Sequence, residues 1–267
     1  MKAAEFAYAK PASLAEALDL LARPSASVLA GGQSLIPSLN LRLASPELLV
    51  DITGLKDLAR IAVADGRVRV GALATHAQLG RSPEVAQHLP LLAQAVPHVA
   101  HTAIRNRGTL GGSLALADPA AEYPACAVAL DAVLCIAGKG GERRVGAAAF
   151  FKDLFQTDLR QGELLVAVEF PMGKQGDRSV FLELARRQGD YAIIGLAAHN
   201  RCFVYFGAGP TPVVAVHAAA QTSLADAKRA LAQDLAPPAD LYHSSAAKLH
   251  LAGVLLERAW NAISTSN

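Results

Sequence analysis

Apolar positions along this chain switch between the 3.6-residue period of a helix and the two-residue period of a strand, and the switches mark its elements. Leu14, Leu18 and Leu21 recur at helical spacing behind Pro11-Ala12-Ser13. Ser13 is placed to cap that helix, with Glu16 three residues on, and Pro24 and Ser25 close it. A short apolar strand over residues 27–30 then runs straight into Gly31-Gly32-Gln33-Ser34-Leu35. An apolar helix over 36–43 and a second strand over 47–52 follow. Past Arg60 the pattern alternates. Residues 61–63 and 67–73 predict antiparallel strands joined through the hairpin dipeptide Asp65-Gly66. Thr75 caps a short helix reaching Leu79, and one longer helix is predicted over 83–96.

A second glycine segment, from His101 through Thr109-Leu110-Gly111-Gly112-Ser113 to Glu122, is polar yet flanked by apolar runs. It reads as one wall of a dinucleotide site, with a plain glycine-rich bend between two core elements as the alternative. Beyond it come a helix over 123–130, a buried strand over 132–137, a loop over 138–141, a strand beginning at 143 and an alternating strand over 163–171. Pro171-Met172-Gly173-Lys174-Gln175-Gly176-Asp177 is the best linker in the chain. Three strand-like runs follow, over 179–187, 192–199 and 201–207. Two helices close the sequence, over 224–233 and 244–263, and in the last Leu249, Gly253, Leu256 and Trp260 share a face. There is no internal repeat and no low-complexity tract.

Composition narrows the function. At 267 residues, 52% apolar and 18% charged, the chain can build a sizeable core as one large domain or two smaller ones. A formal net charge of +2 gives no electrostatic case for nucleic acid or an anionic membrane. Cys126, Cys135 and Cys202 are widely spaced and supply neither a disulfide framework nor a metal set. With no secretory leader and no apolar run of membrane-spanning length, a cytoplasmic protein is expected.

The chemistry that remains is that of the two glycine turns, about eighty residues apart, each with Ser or Thr beside its glycine pair. The first turn opens a helix, where free N–H groups and the helix dipole favour a phosphate. Neither G-x-G-x-x-G nor the Walker A pattern is present there, so a plain structural turn is an equal reading. Backbone N–H groups of both turns, with the hydroxyls of Ser34, Thr109 and Ser113, would suit a pyrophosphate gripped from two sides. His76, His98 and His101 read as structural histidines. Arg105 and Arg107 either form surface ion pairs or touch a ligand. No metal spacing and no nucleophile motif appears, which favours holding a dinucleotide that brings its own reactivity.

Three segments together carry a resemblance. Ala30-Gly31-Gly32-Gln33-Ser34-Leu35, the run Thr102 to Ser113 with Ala117-Asp118-Pro119-Ala120-Ala121-Glu122, and Arg186-Arg187-Gln188-Gly189-Asp190-Tyr191-Ala192 stand in the same order and at compatible spacing. The chain thereby resembles the FAD-binding medium subunit of molybdenum hydroxylases, the group of carbon monoxide dehydrogenase and the xanthine dehydrogenase relatives. The resemblance covers essentially the whole chain. It implies an α+β protein: a vanillyl-alcohol-oxidase-type two-lobed FAD domain over 1–173, with a small lobe over 1–55 and a larger one over 56–173. A C-terminal domain of a three-stranded antiparallel sheet plus helices would occupy 177–267.

The resemblance further implies an oxidoreductase subunit with FAD between the two lobes. Residues 30–35 and Thr109, Gly111, Gly112 and Ser113 would grip the pyrophosphate and ribityl chain, with Asp118 in the adjoining signature. Glu122 would sit near ribityl or ribose hydroxyls, Leu164 or Leu165 would pack on the adenine or isoalloxazine, and Tyr191 would lie close to the flavin ring. Gly32 and Gly111 would both need φ > 0 or an open approach for the phosphates. Gln33 stands where some proteins of the wider fold carry a flavin-linking His, so the FAD would be dissociable. Leu116 replaces a His common in the family, and no four-cysteine insert is present. The partners implied are an iron–sulfur small subunit with [2Fe-2S] clusters, a large subunit with the molybdenum cofactor, and an external acceptor such as NAD+, a quinone or dioxygen. A stand-alone flavin oxidase and a flavin-free interaction subunit are the alternatives.

Overall fold

The computed structural model describes residues 2–264. Its first layer is a parallel three-stranded sheet in the order Ala7–Ala9, Leu48–Asp51, Ala26–Leu29. Parallel neighbours need a crossover, and the Leu14–Leu21 and Leu35–Asn40 helices provide it. Ser13 caps the first of these as its sequence predicts: its Oγ accepts from the Glu16 N–H, and the Glu16 carboxylate accepts from the Ala12 N–H. Ala17, Leu18 and Leu21 bury the inner face against Val50 and Ile52.

The second layer is a five-stranded antiparallel sheet in the order Ile61–Ala64, Arg67–Gly71, Leu164–Pro171, Val133–Gly138, Gly141–Gly146. Leu164–Pro171 comes late in the sequence yet sits in the middle, and all but its last residue is buried. Alternate residues of this strand serve two cores. Leu164 and Val166 pack toward the parallel sheet, while Leu165, Val168 and Phe170 pack toward the helices.

The third layer is an antiparallel sheet of three long strands, Ser179–Ala185, Ala192–His199 and Cys202–Phe206, with a two-residue fourth strand, Val213–Val214. One face meets the Leu224–Asp234 and Ser245–Ser264 helices through Ile194, Leu196, Phe203 and Leu256. The other face joins the core of the five-stranded sheet through Phe181, Ala197, Val204 and Phe206. No helix among the described residues is long and apolar enough to cross a membrane.

Two predicted elements differ. The helix expected over 83–96 is two helices, Pro83–His88 and Pro90–Ala95. Pro90 excludes helical backbone at the preceding residue, and Leu89 sits at φ −130°, ψ 58°. The second glycine segment, for which a plain bend was the alternative reading, holds two helices, Thr102–Arg105 and Leu110–Leu116. Thr109 turns its glycines into the second of these by capping it. The Ala147–Phe150 helix and the Phe151–Asp153/Gln156–Thr157 hairpin were not foreseen; neither carries a periodic signal long enough to read.

Candidate functional site

The two glycine turns, far apart in sequence, touch. A Cβ on Gly31 would overlap the Arg107 carbonyl oxygen and lie 2.8 Å from the Gly108 Cα, so only glycine lets the backbones meet there. Gly32 lies at φ 72°, the left-handed region that side chains avoid, and this turns the chain into the Leu35–Asn40 helix. The N–H groups of Gly32, Gln33, Ser34 and Leu35 have no acceptor among the described residues. The Gln33 side-chain amide donates to the Gly31 carbonyl (3.1 Å), bracing the turn from inside. Ser34 is exposed and makes no capping bond with its side chain.

The second turn is built differently. Leu110 and Gly111 donate their N–H groups to the carbonyls of Ala74 and Ala72, Gly112 to Thr109 Oγ1, and Ser113 to the Thr109 carbonyl. Those amides are satisfied by protein and are not free for a phosphate. Gly111 does not have positive φ either. Its missing side chain makes room for the Ala72 backbone, whose carbonyl oxygen would be 2.7 Å from a Cβ. The second turn thus frames the seam, and the first supplies the donors.

A groove of about 500 Å³ runs along the seam, lined by Ala30, Gly31, Lys56, Arg60, Arg107 and Thr109 among others. Lys56 and Arg107 give it positive charge suited to an anion, while Arg60 pairs with Asp57 (2.8 Å). Arg107 therefore faces the groove. Arg105 is structural: its guanidinium donates to the Val99 and Ala100 carbonyls and to Thr102 Oγ1. Lys56 and Arg60 carry no motif, and only the folding of the 53–60 segment against the first turn reveals them.

Asp118, Glu122 and Tyr191 form a second group, where the third sheet meets the Glu122–Ala129 helix. Gly207 N–H donates to the Pro119 carbonyl (2.8 Å), tying this loop to the sheet. Asp118 Oδ1 accepts from the Ala120 N–H, and burial raises its pKa all the same. Burial pushes Glu122 up to about 7, against the pull of its own N–H and with the Asp118 charge adding to the rise. Tyr191 is 77% exposed. Desolvation of its hydroxyl and the carboxylates of Asp118 and Glu122 raise its pKa. Glu183, absent from the expected set, belongs here too. It occupies an inward position of Ser179–Ala185, a carboxylate where alternation calls for an apolar residue, and that is the signal by which a sequence reading could find it.

Leu164 and Leu165 are 5% and 3% exposed and belong to opposite cores. His76 is buried beneath the seam, where its ring packs on Tyr123 at 5.1 Å. His98 approaches Glu183, and His101 packs against Gly189 of the Tyr191 loop. No group of three or more potential metal ligands occurs among the described residues.

The donor set fits a flavin dinucleotide: four unclaimed amides beside basic side chains for a diphosphate, and an exposed tyrosine near two carboxyls for a polar, aromatic head. Comparison with known proteins agrees. The family described as FAD binding domain in molybdopterin dehydrogenase matches residues 4–173. The alpha subunit of the 6-hydroxypseudooxynicotine dehydrogenase complex of Paenarthrobacter nicotinovorans is 44% identical over 200 residues, covering 74% of this chain and 68% of that one. The xanthine dehydrogenase FAD-binding subunit of Escherichia coli O157:H7 is 33% identical over 265 residues, covering 91% of each. Among solved structures, carbon monoxide dehydrogenase from Hydrogenophaga pseudoflava superposes with a TM-score of 0.93 at 33% identity, over 98% of both chains.

Proposed function

This chain belongs to the family of FAD-binding domains of molybdopterin dehydrogenases, and from that we propose that it is the flavin-carrying electron-transfer subunit of a molybdenum hydroxylase complex. In this reading it receives electrons from an iron–sulfur small subunit with [2Fe-2S] clusters. That subunit is supplied in turn by a large subunit bearing the molybdenum cofactor. The external acceptor is NAD+, a quinone or dioxygen. FAD accepts electrons singly and releases them in pairs, which is the chemistry such a relay needs from its cofactor.

The single observation that carries the reading is the run of four unclaimed N–H groups at Gly32 to Leu35, beside the positive groove. These amides would hold the diphosphate without a lysine, and the hydroxyls of Ser34 and Ser113 would add donors. Thr109, Gly111 and Gly112 would keep the second turn pressed against the first. Asp118 and Glu122 would meet the hydroxylated part of the cofactor, and Tyr191 would cover the flavin ring and exclude water from it. In the same reading residues 1–173 form the FAD domain, with lobes over 1–55 and 56–173, and 177–267 form the C-terminal domain. Gln33 offers no nucleophile for a covalent link to the flavin.

Two measurements test this. Apoprotein titrated with FAD should take up one equivalent, read from the visible spectrum, and Gly32→Val should abolish retention by forcing a β-branched residue to positive φ. Full retention in Gly32→Val would place the diphosphate elsewhere. In the assembled complex, flavin-depleted protein should still let substrate reduce the iron–sulfur centres while reduction of the external acceptor stops. Unimpaired acceptor reduction without flavin would end the relay assignment.

A further inference from the structure

Asp51 ends the central strand of the parallel sheet and is a buried carboxylate beside the groove. It is 7% exposed, and its register partner is Leu29, from which the chain runs on through Ala30 into the first glycine turn. Four donors converge on it. Thr53 donates twice to Oδ1, from its N–H (2.9 Å) and from its hydroxyl (2.6 Å). Tyr8 donates its hydroxyl to Oδ2, and Lys10 Nζ stands 3.8 Å from the same oxygen. Burial by itself would raise the Asp51 pKa, but the hydrogen bonds from Thr53 and Tyr8 bring it below the ordinary carboxylate value, so Asp51 stays ionised.

A carboxylate next to a site for an anion is unfavourable on charge alone, so its place there is explained by what it holds. It holds the start of a turn. Accepting from the N–H two residues on is an Asx turn, and the Thr53 hydroxyl doubles the bond. The chain then tightens, with Leu55 N–H donating to the Ile52 carbonyl and Lys56 N–H to the Gly54 carbonyl. Ile52 N–H donates in turn to the Leu29 carbonyl (3.0 Å), which fastens this segment to the strand that enters the first glycine turn. Thr53 and Lys56 both line the groove with Ala30 and Gly31. Arg60 is paired with Asp57, so Lys56 is the cation that the segment brings to the groove. A lysine ammonium rides on a long flexible stem, and the placing of its backbone limits which rotamers reach an anion. Tyr8 is 55% exposed, so what it contributes is the hydroxyl bond to Asp51 more than burial of its ring.

We propose that Asp51 is a positioning residue for the cofactor diphosphate: held by Tyr8 and Lys10, it fixes the turn from Thr53 to Lys56 so that the Lys56 ammonium and the amides of Gly32 to Leu35 meet the same phosphates. The proposal rests on the FAD reading above and adds to it a residue that does not touch the cofactor. The charge of Asp51 and its hydrogen bonds act on an anion in opposite directions. Deleting the charge alone would tighten FAD, whereas deleting the acceptor that holds the turn loosens it.

The test is a double-mutant cycle on the full-length apoprotein, titrated with FAD at fixed pH and ionic strength and followed by flavin fluorescence. Asp51→Ala should weaken FAD by about tenfold, the scale of a lost hydrogen bond to a charged group. Asp51→Asn keeps an acceptor for Thr53 and should recover most of that loss. Thr53→Val removes the hydroxyl donor and keeps the shape, so it should weaken FAD in the same direction. It decides the matter if thermal melts show that Asp51→Ala does not fold. In the Lys56→Gln background both substitutions should cost about twofold or less, because the group they position is gone. Tighter or unchanged FAD binding in Asp51→Ala and Thr53→Val overturns the proposal. So does a loss of equal size with and without Lys56, which is what a merely structural residue would give. Absence of FAD binding by the wild type overturns the cofactor reading itself, and the role of Asp51 with it.

Discussion

At the scale of single residues, two buried ionisable groups tilt stability with pH in opposite directions. His76 is 5% exposed, its Nδ1 meets no partner among the described residues, and burial, helped by the Arg105 charge, brings its pKa down to about 4. The unfolded chain takes up that proton near 6.5, so between 6.5 and about 4 it binds more protons than the fold and stability drops as pH drops. Glu183 runs the other way. Its folded pKa of about 8 lies above the ordinary 4.5, so the fold holds a proton that the unfolded chain releases, and stability drops as pH rises from 4.5 through 8. Thermal melts across pH 4 to 9 should show His76→Gln flattening the acid limb and Glu183→Gln flattening the alkaline limb. If neither limb changes, other groups carry the pH dependence.

At the scale of elements, the helix caps separate what is local from what is not. Ser13→Ala should cost about 1 kcal/mol in urea unfolding and leave FAD binding unchanged, because the cap is exposed and remote from the seam. Thr109→Ala should cost more, about 2 kcal/mol, since Thr109 is 5% exposed and its loss leaves the Gly112 N–H unpaired. It should also weaken FAD retention by loosening the second turn from the first. Equal costs at the two caps, with retention intact, would make Thr109 an ordinary cap. The caps at Ser13 and Thr75 and the Asp65-Gly66 hairpin were all legible in the sequence, because each is fixed by residues within four positions of one another. The break at Leu89 is equally local, because Pro90 disfavours helical backbone at the residue before it.

At the scale of the whole molecule, the third sheet is the clasp. Phe181, Ala197, Val204 and Phe206 carry the core of the five-stranded sheet into it, and Gln94 reaches across to the edge strand, donating to the Ser179 carbonyl and accepting from the Phe181 N–H. Phe206→Ala, at a site 1% exposed, should cost about 3–5 kcal/mol. It should also lower FAD affinity, because Phe206 is followed by Gly207, which ties the sheet to the loop of Asp118. Chemical unfolding and FAD titration of the same variant check both outcomes. A destabilised variant with unchanged affinity would detach the cleft from the clasp.

Periodicity, caps and turn dipeptides, all local in the chain, determined the α+β order of helices and strands and marked the two glycine turns as the place for a dinucleotide. What they could not convey was which amides are free. The N–H groups of Leu110 and Gly111 are claimed by the carbonyls of Ala74 and Ala72, nearly forty residues away, whereas those of Gly32 to Leu35 are left open. In the same way Leu164 and Leu165 look available in a list of residues and are enclosed once the central strand has sheets and helices on both faces. Hydrogen-bond ownership and burial depend on partners distant in sequence, so only the tertiary structure decided them.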